Sequence, residues 1–226
     1  MLIYVNGCSH TAYNDISQLQ LLKSWSVDLT EKLNKKCLYW MGFDNNIPNV
    51  DILINEARHS ASNDYIFHSS LETLCKLINQ NKKPDYAIIQ WSGPNRRLHC
   101  DENGDKLFVN LYDNTDYFVK FEPMGSEHTV HYMYTLQEFL KKNEINYLFL
   151  PYMPLDESIN DSSIFKMIDR DRIIDFNMGE SIFTKGIIDY IKSNNLNRDE
   201  QGHPNKDGYS IISDRIIDKI KKTKIL

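Results

Sequence analysis

Four short stretches of this chain combine a nucleophile, a base or a hydrogen-bond donor with turn-forming residues. Gly7-Cys8-Ser9-His10-Thr11 places a serine directly behind the apolar run at residues 2–6. A hydroxyl there can attack a carbonyl once a base takes its proton, although a serine after a glycine is also ordinary turn or cap chemistry. The stretch is not G-x-S-x-G, so it does not support the nucleophile elbow of the α/β-hydrolases. Glu200-Gln201-Gly202-His203-Pro204-Asn205 puts an acid three residues before a histidine. Pro204 steers His203 away from helix and onto a loop, and Asn205 can cap a helix that follows. Glu200 can fold back to Nδ1 and fix the imidazole tautomer, and Asp199 competes for that task. The plainer alternative is an exposed histidine in a polar turn. Trp91-Ser92-Gly93-Pro94-Asn95-Arg96 offers an amide donor to a developing oxyanion, an effect on the order of 10²–10³ in rate, or simply a Gly-Pro-Asn turn. The small residues between Asn55 and Asp64 can present a backbone N–H to the same oxyanion or cap the next helix.

These stretches need a scaffold, and the hydrophobic pattern supplies one. Short apolar runs at 2–6, 51–55, 86–91 and 147–150 have the length and punctuation of buried strands. Leu19, Leu22, Trp25, Leu29 and Leu33 repeat at helical spacing across about 16–35. Ser62 or Asn63 can cap a second helix carrying Ile66, Leu74, Leu77 and Ile78, and Met133, Leu136 and Leu140 share a face of another. Further helices are expected near 183–191 and 209–221. Buried strands alternating with amphipathic helices predict an α/β fold, a parallel sheet covered on both sides. Two aromatic-rich runs, 107–112 and 117–121, flank Asp113-Asn114-Thr115 and read as an inserted hairpin. The insertion, about 97–130, follows a strand end, where open α/β sheets bind ligands, so a lid or substrate wall is expected there.

With 226 residues, 41% hydrophobic and 25% charged, the chain reads as one domain, 1–226, with no repeat or linker. Lys plus Arg number 26 against 31 Asp plus Glu, a net charge of −5, which argues against a nucleic-acid partner. No stretch approaches the roughly 20 apolar residues of a membrane span, and the start, MLIYVNG, lacks the form of a secretory signal. Cys8, Cys37, Cys75 and Cys100 lie far apart, as reduced thiols of a cytoplasmic protein would. His128 and His131 stand three apart without an evident partner carboxylate and read as a surface pair; no metal or cofactor is expected. The chain has neither G-x-x-x-x-G-K-[ST] nor G-x-G-x-x-G, which counts against a nucleotide binder.

In its order along the chain, the constellation resembles the SGNH hydrolases, also called GDSL esterases/lipases, over nearly the full length. Gly7-Cys8-Ser9 matches the first block, Gly-Asp-Ser, with Cys8 for the acid. The second block's glycine corresponds to Ser60, or to Ala61 if the register slips by one. Gly93-Pro94-Asn95 matches Gly-x-Asn-Asp, with Arg96 in place of the final acid, and Glu200 to His203 matches Asp-x-x-His. The resemblance implies a three-layer flavodoxin-like fold with a five-stranded parallel sheet of order 2-1-3-4-5. It implies Ser9 as nucleophile, His203 as base oriented by Glu200 or Asp199, and an oxyanion hole from Ser9, Ser60 and Asn95. The activity implied is that of a serine esterase.

Trp91, Tyr112 and Tyr117 can stack on a sugar ring, whereas a long acyl chain would need an aliphatic slot. With Arg96 also beside the site, the expected substrate is a small acyl ester, such as acetyl, on a glycan-like or other polar small molecule. The alternative, motivated by Ser60 and Arg96, is a degenerate domain of this type that binds a ligand without turnover. Arg58, Arg96 and Arg97 lie near the proposed site, and one of them could hold an anionic substrate or face solvent.

Overall fold

The computed structural model describes residues 1–12, 24–34, 36–39, 52–100, 106–110, 115–174, 176, 186–197 and 202–223. Five parallel strands form the central sheet: β1 (Leu2–Asn6), β2 (Lys36–Tyr39), β3 (Ile52–Asn55), β4 (Tyr86–Trp91) and, after a two-stranded hairpin, β7 (Asn146–Pro151). The helices are α1 (Trp25–Lys32), α2 (Asn63–Asn79), α3 (Thr115–Lys142), α4 (Ser163–Lys166), α5 (Ile187–Ser193) and α6 (Lys206–Lys222).

Side chains alternate across a strand, so a strand buried on both faces feeds two cores. Ile3, Val5, Leu53, Ile88, Leu148 and Leu150 pack with Trp25, Leu29, Ile187, Ile191, Ile212 and Ile216 from α1, α5 and α6. Tyr4, Ile52, Ile54, Ala87, Ile89 and Phe149 face the opposite way, onto Ile66, Leu74, Leu77, Met133, Leu136 and Leu140 of α2 and α3. Three layers result. The helix-spaced leucines and isoleucines of the sequence are the residues that close both faces. Asn205 caps α6 as its position before the helix suggests, its Oδ1 accepting the Gly208 N–H at 2.9 Å. Among the described residues, no helix is long and apolar enough to cross a membrane.

The strand order differs from expectation. It runs β2-β3-β1-β4-β7, that is 2-3-1-4-5 among the strands of the sheet, rather than 2-1-3-4-5. The extra edge strand is β2, a four-residue Lys-Cys-Leu-Tyr segment too short and mixed to stand out as an apolar run. Beyond β7, at the opposite edge, a single parallel bridge extends the sheet, Ile173 to Phe149, with the Ile174 N–H on the Phe149 carbonyl at 2.9 Å.

The inserted hairpin also differs. Its arms are β5 (Arg96–Cys100) and β6 (Lys106–Asn110), paired antiparallel from Arg96 opposite Asn110 to Cys100 opposite Lys106. The run at 117–121, expected as the second arm, belongs to α3 instead. The helix runs on from it to the buried face of Val130, Met133, Leu136 and Leu140, although Pro123 and Gly125 interrupt the apolar run between them. The excursion is therefore shorter than 97–130.

Candidate active site

β1, β3 and β4 are neighbours, and parallel pairing brings their C-terminal ends to one edge of the sheet. The turn after β1 is fixed there from several sides. Thr11 and Ala12 both donate their N–H groups to the Cys8 carbonyl at 2.9 Å. Gln90 of β4 accepts from Thr11 Oγ1 and from Trp25 Nε1, both at 2.7 Å, and donates to Cys8 Sγ at 3.1 Å. Asn55, the last residue of β3, donates to the Thr11 carbonyl at 3.0 Å. Gly7 lets the turn come this close, since a Cβ there would run into Thr11 Oγ1 and lie 2.9 Å from Gln90 Cβ. The turn presents Ser9, 8% exposed, with its Oγ 3.2 Å from Nε2 of His203. That distance suits proton transfer from the hydroxyl to the imidazole. When Nε2 accepts from Ser9, the ring proton sits on Nδ1.

Two further loops reach the same edge. After β3 the chain follows the Ser9 turn, with the Glu56 N–H on the Val5 carbonyl at 3.0 Å and the Arg58 N–H on the Gly7 carbonyl at 3.1 Å. Ser60 then adopts φ 60°, the left-handed region where glycine is preferred. The Ala61 N–H is taken by the Arg58 carbonyl at 3.3 Å, so Ala61, the alternative if the register slips by one, is not open as a donor. Among the described residues, nothing accepts from the backbone N–H of Ser9 or of Ser60. After β4, Asn63 grips Ser92 by both backbone groups, accepting its N–H at 2.7 Å and donating to its carbonyl at 3.1 Å. Asn95 follows, 2% exposed. A Cβ on Gly93 would stand 2.6 Å from Asn95 Oδ1 and 2.7 Å from Met153 Sδ, so a side chain there would displace the amide.

No family model and no curated protein matches the sequence. Solved structures do match the fold. An acetyl xylan esterase aligns with a TM-score of 0.54 at 14% identity, over 97% of this chain and 100% of its own. The psychrotrophic esterase EstA from Pseudoalteromonas sp., in a structure inhibited by monoethylphosphonate, aligns at 0.53 and 16% identity, over 98% and 97%. TesA aligns at 0.55 and 11% identity, over the whole of both chains. The chain has an SGNH-hydrolase fold. Within that fold Gly7-Cys8-Ser9 ends the first strand, Ser60 holds the glycine-like conformation after β3, and Gly93-Pro94-Asn95 ends β4.

Not every residue expected at this edge of the sheet is there. Trp91 is 1% exposed and packs edge-to-face on Phe149 with ring centroids 5.6 Å apart. Every residue of β4 is buried, so this indole belongs to the core and does not stack on a sugar. Tyr117 falls in α3 rather than in a hairpin arm. Tyr112, Asp199 and Glu200 lie outside the described residues. Arg96 is half-buried beside Asn95, with its Nη1 donating to Ser92 Oγ at 3.0 Å. His128 and His131 are exposed on α3, and among the described residues no three His, Cys, Asp or Glu side chains gather as a metal group.

Two residues that the sequence did not single out for a role brace the histidine. Tyr152, immediately after β7, donates its hydroxyl to the carbonyl of Gly202, the residue before His203. Its ring stacks on His10 with centroids 3.5 Å apart, and His10 in turn meets the His203 ring at 4.5 Å. Serine turn, β7 end and histidine loop are thus linked in one closed circuit. The only sequence signal for Tyr152 is its place just beyond a predicted strand, and for His10 its adjacency to Ser9.

Just after β3 stands a half-buried acid, Glu56. Burial pushes the Glu56 carboxyl up to about 7, against hydrogen bonds from Tyr4 Oη and from Thr73 Oγ1 at 3.0 Å and the nearby charge of Arg58. Burial, followed by the Glu56 charge, also raises the Tyr4 phenol. The native state holds the Glu56 proton more tightly than the unfolded chain, so unfolding releases it between about pH 4.5 and 7. This contribution to stability is full below that window and lost as pH rises through it. Glu56→Gln is expected to flatten the fall in Tm across the window; equal slopes for variant and wild type would contradict the assignment. Tyr152→Phe, which keeps the ring stack and removes the donor to Gly202, should cost about 1–3 kcal/mol and speed amide exchange around Gly202 and His203. Unchanged exchange in that loop would show that the hydroxyl does not hold it.

Proposed function

We propose that this chain is a serine esterase that removes a small acyl group, such as acetyl, from a polar, glycan-like substrate. The observation that carries the proposal is the Ser9 hydroxyl 3.2 Å from His203 Nε2, on a turn whose backbone N–H is directed to no other described group. In the reaction, Ser9 Oγ attacks the ester carbonyl carbon while Nε2 takes its proton. The carbonyl π pair moves onto oxygen, and the oxyanion accepts from the N–H groups of Ser9 and Ser60 and from the Asn95 amide. As the intermediate collapses, the C–O bond to the alcohol breaks and His203 protonates the departing oxygen. Water, deprotonated by the same imidazole, then attacks the acyl-serine; the acid is released and Ser9 regains its proton. Glu200 or Asp199 serves to hold Nδ1–H and to stabilise the imidazolium.

The solved structures that share the fold add support: one is an acetyl xylan esterase, and another esterase was obtained inhibited by monoethylphosphonate. The alternative of ligand binding without turnover drew on Ser60 and Arg96, and neither residue interrupts the pair of Ser9 and His203. The decisive experiment is labelling with a fluorophosphonate, which reacts with an activated serine. Wild-type protein should label, Ser9→Ala should not, and His203→Ala should label far more slowly. Undiminished labelling of Ser9→Ala would rule the mechanism out.

A further inference from the structure

We infer that the ester taken by this site itself carries an acid group, carboxylate or phosphate, bound by Arg58 and Arg96 on the rim of the two oxyanion loops; the inference rests on the esterase reading above. Arg58 stands two residues before Ser60, and its backbone N–H is tied to the Gly7 carbonyl of the nucleophile turn at 3.1 Å. Its side chain is exposed, with the guanidinium carbon 5.4 Å from the centre of the Tyr65 ring. Arg96 directly follows Asn95, and its Nη1 rests on Ser92 Oγ at 3.0 Å. Ser92 is gripped by Asn63, so Arg58 meets the first turn of α2 directly at Tyr65, and Arg96 is tied to it at one remove, through Ser92.

Neither arginine forms an ion pair among the described residues, whereas Arg172 pairs with Asp169. The acids nearest by sequence and contact are already engaged. Glu56 is bound by Tyr4 and Thr73, and Asp64 Oδ1 accepts the Ser62 hydroxyl and the Tyr65 N–H at 2.9 Å. A net charge of −5 means that two arginines on the loops of one site, neither ion-paired among the described residues, do not follow from a basic composition. The guanidinium fork matches the paired oxygens of a carboxylate or phosphate and keeps its charge at every relevant pH. With Trp91 enclosed in the core, charge rather than an indole face is what this side of the mouth offers a substrate. Arg97, the next residue along β5, belongs elsewhere: its Nη2 is enclosed near Gly125 of α3.

The test compares para-acetoxybenzoate and para-acetoxyphenyl phosphate with the neutral para-acetoxybenzamide. At low salt, kcat/KM for at least one acid-bearing ester should exceed that for the amide-bearing ester on the order of tenfold, and the better of the two identifies the acid. The advantage should shrink in 0.5 M salt (roughly a fourfold-shorter screening length than at ~0.03 M). The ratio of anionic to neutral kcat/KM should fall severalfold in Arg58→Gln and in Arg96→Gln. A ratio at or below one, or a ratio indifferent to salt and to both substitutions, would overturn the inference. Binding of para-acetamidobenzoate and para-acetamidobenzamide, whose amide bonds resist turnover, repeats the comparison without hydrolysis. If wild type hydrolyses none of the esters yet prefers the anionic amide, the esterase reading fails and the anion site stands. If it hydrolyses them all without preference, the reverse holds.

Discussion

A hydroxyl and an imidazole separated by 194 residues of chain meet at 3.2 Å, and most of the architecture can be understood as the means of holding them there. The contact is short-range and directional, so a displacement of about 1 Å in either loop would cost much of its use. A parallel sheet solves half the problem by delivering the ends of β1, β3 and β4 to one edge. The other half is the histidine, which sits between α5 and α6 on a loop closed by an isolated bridge between Asn197 and Pro204. That loop is secured by the left-handed Gly202, by the Asn205 N–H on the Leu196 carbonyl at 2.6 Å, and by the hydroxyl of Tyr152. The α6 helix behind it is anchored by Ile212, Ile216 and Ile220, all fully buried.

The ground around the Ser9 turn is polar, which is unusual for a sheet so closely packed. Asn6, Asn55, Asn63 and Gln90 are each 3% exposed or less, yet their amides are occupied by backbone groups and hydroxyls of neighbouring elements. Buried amides are tolerated when satisfied and costly when not. They therefore hold the turns in one arrangement with more selectivity than apolar packing of similar size, because a shift of any turn would strand several partners at once. The same logic explains Ser60: its left-handed backbone costs a non-glycine residue on the order of 1 kcal/mol. The hydrogen bonds of Glu56 and Arg58 to the neighbouring strand end and turn hold the loop in place against that cost.

Much of this was legible in the sequence, and the parts that were not share a cause. Strands β1, β4 and β7 announce themselves because both faces are buried, which leaves unbroken apolar runs. Helices α2 and α6 are marked by spacing and by residues suited to capping. β2 and β5 are edge or hairpin strands paired on few residues, and Lys36 or Arg96 carries no periodic signal. The aromatic run at 117–121 is compatible with strand or helix, and only its continuation through Val130 and Met133 decides. Of the candidate site residues, Ser9, Asn95 and His203 stood out because they fall in turn-forming stretches at strand or helix ends, and Ser60 only through the resemblance to a family block. Trp91 misled because an aromatic before a site turn looks the same whether it faces ligand or core. Gln90, His10 and Tyr152 act through contacts between distant elements, which spacing along one chain does not encode.

The account stands on Ser9 and His203 acting as one unit. A double-mutant cycle in kcat/KM for an acetyl ester measures that directly, with Ser9→Ala, His203→Ala and the double variant compared with wild type. If the pair works together, the double variant should be about as slow as the worse single variant, since removing either member already disables the other. Losses that multiply would show two residues contributing independently and would contradict the account.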